Sequence, residues 1–171
     1  AGYLSYDVGQ GLAPAWRGAI EAREDAGAPL AWFGLFASVE RIDADAVENL
    51  LPDPAGAWVG PVVPRVSRGD FEASIARVLD YIEAGDIYQA NLTFGMEGRY
   101  TGTPAALYAR LRQRQSVTHG AFVDLGGPVL LSRSPELFFR TDEGGRIETR
   151  PMKGTQPRSE DPDEDARRRA F

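Results

Sequence analysis

Three residues combine a reactive or polar side chain with an apolar neighbourhood. Gln89 lies in Ile87-Tyr88-Gln89-Ala90-Asn91-Leu92, Glu136 in Ser134-Pro135-Glu136-Leu137-Phe138, and Lys153 in Arg150-Pro151-Met152-Lys153-Gly154-Thr155. A lysine amine is a nucleophile once it has lost its proton, which desolvation or neighbouring positive charge promotes. Arg150 is close enough in sequence to be such a charge. A glutamate can pass a proton to or from a reacting group. Glutamine is a neutral amide and cannot act as a general base. Spacing alone assigns none of these roles, because a lone Lys or Glu on a strand is far more often exposed or ion-paired than catalytic. The single histidine, His119, reads as a turn residue rather than a base. Asp142, Glu143, Asp161 and the acidic run 163–165 read as solvated faces and a helix start rather than as a metal-ligand set.

Elements must position these side chains. Phe71, Ile75, Val78, Leu79 and Ile82 recur at three- and four-residue steps, with Ser67 as a cap and Gly85 as a left-handed stop, predicting a helix between them. A strand over 87–96 is predicted to follow, carrying Gln89. Thr103-Pro104 opens a second helix with Leu107, Tyr108 and Leu111 on one face. Four strand-like runs come next, at 121–125, 129–132, 137–141 and 146–153, separated by hairpin-length turns. Glu136 then sits at the entrance of one strand and Lys153 at the exit of the next.

Upstream, residues 30–39 read as a mostly buried strand interrupted at Gly34. Residues 43–64, with four prolines, read as a connecting segment in which Trp58 is a packing anchor. The fold class is α+β: antiparallel β-sheet layers with helices packed outside.

Composition narrows the chemistry. With 171 residues and 43% hydrophobic content the chain can bury a core. A net charge of −6 argues against nucleic-acid binding, which needs clustered Lys and Arg. No run approaches the roughly 20 apolar residues that span a bilayer, and no secretory signal opens the chain. Without cysteine there is no disulfide framework, thiolate nucleophile or cysteine-ligated metal. The expectation is a soluble, cytoplasmic protein with small ligands. The start at Ala1 reads as a strand entered partway, and Asp161-Pro162 with its acidic and then basic run reads as a helix start cut at Phe171.

Taken together and in order, the segments 85–92, Leu131-Ser132-Arg133-Ser134-Pro135-Glu136-Leu137-Phe138 and Thr149-Arg150-Pro151-Met152-Lys153-Gly154-Thr155, with Pro157-Arg158 and the acidic run behind them, carry a resemblance. They resemble the chorismate-binding family, which includes anthranilate, aminodeoxychorismate, isochorismate and salicylate synthases. Gly2-Tyr3-Leu4-Ser5-Tyr6-Asp7 is a weaker match.

The resemblance implies part of the fold of anthranilate synthase component I. It divides the chain into residues 1–66, the end of an N-terminal subdomain with its proline-rich connection, and residues 67–171, the first part of a chorismate-binding domain in a longer protein. Anthranilate-forming members carry Ala where this chain has Lys153, whereas members resembling the large subunit of aminodeoxychorismate synthase commonly carry Lys and use its amine to attack the chorismate ring. Water-adding members carry a Lys base where this chain has Gln89. The pair of Gln89 and Lys153 therefore implies amination of chorismate to 4-amino-4-deoxychorismate, towards para-aminobenzoate and folate. Glu136 would serve as acid and base, or else hold the lysine or a backbone amide. Gly154 and Thr155 would contact substrate.

Ammonia from a glutamine amidotransferase subunit or domain and a magnesium ion are implied as well, with the magnesium ligands beyond this chain, so that the isolated chain would be inactive. Residues 116–120 depart from the family's proline-rich turn, which puts a tryptophan pocket in doubt, and Met152 stands in place of the more usual Ile. Anthranilate synthase component I and a non-catalytic half-domain that docks an amidotransferase are the other readings.

Overall fold

The computed structural model describes residues 1–12, 29–152 and 157–169. Two helices form where local chemistry dictates them. Helix α3, Arg68–Ala84, starts at Ser67, whose Oγ accepts the Asp70 N–H at 3.1 Å, and ends at Gly85 with φ 81°. Helix α4, Pro104–Arg114, starts at Thr103, whose Oγ1 accepts the Ala106 N–H at 3.1 Å, with proline in the first turn where no donor is needed. Before them lie the single-turn helices α1, Gly9–Leu12, and α2, Val47–Leu50. At the far end, α5, Pro162–Arg169, is capped by Asp161, whose Oδ1 accepts the N–H groups of Asp163 at 2.9 Å and Glu164 at 3.1 Å. Its first turn is acidic and its last basic, matching the helix dipole.

The strands pair only in twos among the described residues. Antiparallel ribbons join β1, Gly2–Leu4, to β2, Ala31–Phe33; β3, Trp58–Pro64, to β4, Met96–Thr101; β5, His119–Val123, to β6, Leu130–Ser134; and β7, Leu137–Thr141, to β8, Ile147–Arg150. The architecture is α+β, with the β5–β6 and β7–β8 hairpins where the sequence places them.

Several expectations are corrected. The strand expected over 87–96 is irregular backbone as far as residue 95, and β4 begins only at Met96. A strand needs a partner for its donors and acceptors; the Gly95 carbonyl accepts the Arg65 N–H at 2.9 Å, just past the end of β3, and no described strand pairs with 87–94. The strand expected over 30–39 shrinks to β2, leaving Leu35 fully exposed and Val39 84% exposed. Conversely, the proline-rich connection contains the seven-residue β3. Pro61 falls in the register shift between Val59 and Val62, and β3 has a partner on one edge only, so missing donors cost it no ladder bonds. Trp58 is 55% exposed rather than an anchor. His119 opens β5 opposite Ser134, in a strand rather than a turn.

The core gathers around α4. Ala57, Ala106, Tyr108 and Ala109 are buried, and the Tyr108 ring meets Phe122 edge-on at 5.8 Å. Arginines pin this unit: Arg110 donates to the Ala57 carbonyl at 2.6 Å, and Arg133 donates to the Gln115 carbonyl at 2.6 Å while lying over the Tyr108 ring. By contrast, α3 buries no residue fully, its best contact being Phe71 against Phe94 at 5.1 Å.

Candidate active site

Ser134 closes β6 and turns the chain into β7. Its Oγ accepts the Glu136 N–H at 3.2 Å and donates to the Glu136 carbonyl at 3.0 Å, a local loop that fixes the backbone at Glu136. Because Leu137 pairs with Arg150, Glu136 lies just beyond the end of the β7–β8 ladder. There its Oε1 accepts the N–H of Met152 at 3.2 Å, extending the hairpin by one side-chain bond. An exposed carboxylate is thereby brought to the residue that precedes Lys153, with its second oxygen uncommitted to other described groups. Lys153, Gly154 and Thr155 themselves lie outside the described residues.

Gln89 is exposed in the irregular stretch between α3 and β4, and no hydrogen bond joins it to Glu136. Glu136 is thus brought next to the lysine segment, and Gln89 is not linked to it by any described contact.

Charge around the hairpin is largely compensated. Glu148 sits between Arg140, whose Nε donates to it at 2.7 Å, and Arg150, which donates to its other oxygen. Arg150 lies two residues along β8 from Glu148 and so on the same face. The bond from Arg150, then that from Arg140, lowers the Glu148 carboxyl below the ordinary carboxylate range. The positive charge expected of Arg150 near Lys153 is consequently shared with Glu148.

Past the lysine segment, Asp165 is the one charged side chain buried among the described residues, 8% exposed. Arg158 grips it with both prongs, Nε to Oδ1 at 2.6 Å and Nη2 to Oδ2 at 2.8 Å, and the Ser159 N–H donates to Oδ1 at 3.2 Å. These bonds, the Arg158 contact foremost, pull the Asp165 carboxyl down to about 2. In the sequence Asp165 counted only as part of an acidic helix start. Its pairing with an arginine seven residues upstream leaves no periodic signal, because Arg158 lies outside the helix.

Among the described residues no three acidic or histidine side chains converge as a metal site. No described helix is long and apolar enough to cross a membrane.

The α+β architecture with its antiparallel hairpins fits the resemblance drawn from the sequence. The chorismate-binding enzyme family profile matches residues 1–171, and the chain belongs to that family. It is 44% identical over 101 residues to anthranilate synthase component 1 of Thermus thermophilus, covering 59% of this chain and 22% of that protein. It is 39% identical over 126 residues to aminodeoxychorismate synthase of Streptomyces griseus, covering 71% of this chain and 17% of that protein. With aminodeoxychorismate synthase component 1 of Escherichia coli it shares 35% identity over 102 residues, 60% of this chain and 22% of that protein. The chain thus spans about a fifth of the length of these curated relatives. No solved structure matches it significantly.

Proposed function

We propose that the full-length protein aminates chorismate to 4-amino-4-deoxychorismate, using ammonia delivered by a glutamine amidotransferase subunit or domain. The observation that carries this reading is the lysine at 153 within Arg150-Pro151-Met152-Lys153-Gly154-Thr155. The Lys153 amine attacks the chorismate ring and the ring hydroxyl departs as water, taking a proton from an acid. Ammonia then displaces the lysine, and a base removes the extra proton. Glu136, held by Ser134 and bonded to the Met152 N–H, is the acid and base of this scheme. Gln89 withholds the base that water addition would need, and Gly154 and Thr155 contact the substrate.

Magnesium, when bound, would neutralise substrate carboxylate charge. Its ligands would come from polypeptide outside residues 1–171. The division near residue 66, with the chorismate-binding domain beginning at the helix cap Ser67, and a cytoplasmic location belong to the same proposal. Amidotransferase docking without catalysis is the reading left if the full-length protein leaves chorismate unchanged.

The test is covalent. Full-length protein quenched during turnover of chorismate with limiting ammonia should yield a peptide spanning Lys153 heavier by dehydrated chorismate. Steady turnover with that peptide unmodified at every time point would remove the lysine from the mechanism.

A further inference from the structure

Among the described residues the β5–β6 ribbon has no third strand, and a lone ribbon holds its shape only when it packs on something else. Two side chains on one of its faces reach α4. Phe122, paired with Leu131, meets the Tyr108 ring edge-on at 5.8 Å. Arg133, two residues past Leu131 and so on the same face, lies over that ring at 5.7 Å from its centre. Its Nη2 also donates to the carbonyl of Gln115, the C-cap of α4, at 2.6 Å. Opposite Arg133 in the ladder stands Gly120, and the missing side chain there makes room for this reach. A Cβ on Gly120 would overlap Arg133 Nη1 and come within 2.8 Å of the Tyr108 hydroxyl oxygen. Because Tyr108 is buried, the ring under the guanidinium is itself held in place.

The residue after Arg133 is Ser134, whose Oγ accepts the Glu136 N–H and donates to the Glu136 carbonyl. Between them Pro135 has a fixed φ and confines Ser134 to extended backbone. A shift at Arg133 therefore passes to Glu136 instead of being absorbed on the way.

We infer that Arg133 is a positioning residue for Glu136: it moors the end of β6 to α4, and the Ser134 loop carries that mooring to the carboxylate. The inference rests on the reading of Glu136 as acid and base, and adds what keeps its carboxylate on station beside the Met152 N–H. Misplacing a reacting group by about 1 Å can cost on the order of 100-fold in rate.

The full-length protein tests it. Arg133→Met keeps an unbranched stem and loses the flat cation and its bond to Gln115. Its kcat on chorismate should fall about 10-fold with KM little changed. Exchange of the Met152 amide hydrogen, which the Glu136 carboxylate protects, should quicken roughly 10-fold. Placed in a Glu136→Gln background, Arg133→Met should cost nothing further in kcat, since the proton transfer it serves is already gone. Arg133→Lys keeps the charge without the flat face, should lose less, and carries the same comparison if Arg133→Met does not fold.

Undiminished kcat in both Arg133 variants, or unchanged exchange at Met152, overturns the inference. A loss in the Glu136→Gln background as large as in the wild type also overturns it, because Arg133 would then support the site without acting through Glu136. If Glu136→Gln alone turns over like the wild type, the acid–base reading fails on its own evidence, and exchange at Met152 decides whether Arg133 holds Glu136.

Discussion

Glu136 has one oxygen committed to the Met152 N–H and one without a described partner, so holding the backbone and exchanging a proton are compatible duties for it. Substitution separates them. Glu136→Gln retains a carbonyl oxygen for the Met152 N–H but cannot exchange a proton, whereas Glu136→Ala loses both functions. If Glu136 is the acid and base, the Gln variant should lose on the order of 10²-fold or more in kcat with KM little altered, and the Ala variant should be no better. Steady-state kinetics on the full-length protein checks this, and near-normal turnover in Glu136→Gln beside a crippled Glu136→Ala would reduce Glu136 to a backbone holder. The place of Glu136 at the entrance of a strand was legible in the sequence, where the family resemblance singles it out together with Lys153. The Met152 contact was not, since it depends on the hairpin register that places Glu136 opposite the end of β8.

At the scale of elements, what was legible is what is local. Ser67 and Gly85 bound α3, and Thr103-Pro104 opens α4, through bonds made within three or four residues. Strands escaped where pairing decides. The 87–94 stretch has strand-like composition and pairs with no described strand, while β3 forms despite its prolines because β4 offers a partner and the bulge takes up Pro61.

Gly102 shows how tightly the turn between β4 and α4 is set against the 3₁₀ turn Pro54–Gly56. Its φ is +87°, and a Cβ there would lie 2.1 Å from the Gly56 carbonyl oxygen. Gly85 is as left-handed, with φ +81°, but a Cβ there would meet nothing within 4 Å. Gly102→Ala should therefore destabilise by about 2 kcal/mol or more, adding displaced backbone to strain, whereas Gly85→Ala should cost only about 1 kcal/mol. Denaturant melts of the two variants in the same protein make the comparison, and equal losses would show that the Gly56 contact relaxes freely.

Among the described residues large apolar side chains lie open: Leu79 on α3 is 58% exposed, and Val62 and Val63 on β3 are 48% and 59% exposed. Apolar surface on this scale calls for a covering partner. Composition could not reveal this openness, because 43% hydrophobic content says how much can be buried, not what lies against it.

Relatives named for two different aminations match side by side, so the reaction has to be read from the product. Full-length protein supplied with chorismate, ammonium and magnesium, its products separated by chromatography and identified by mass, gives the most direct test. The expected main product is 4-amino-4-deoxychorismate; anthranilate or isochorismate in its place would overturn the proposed amination.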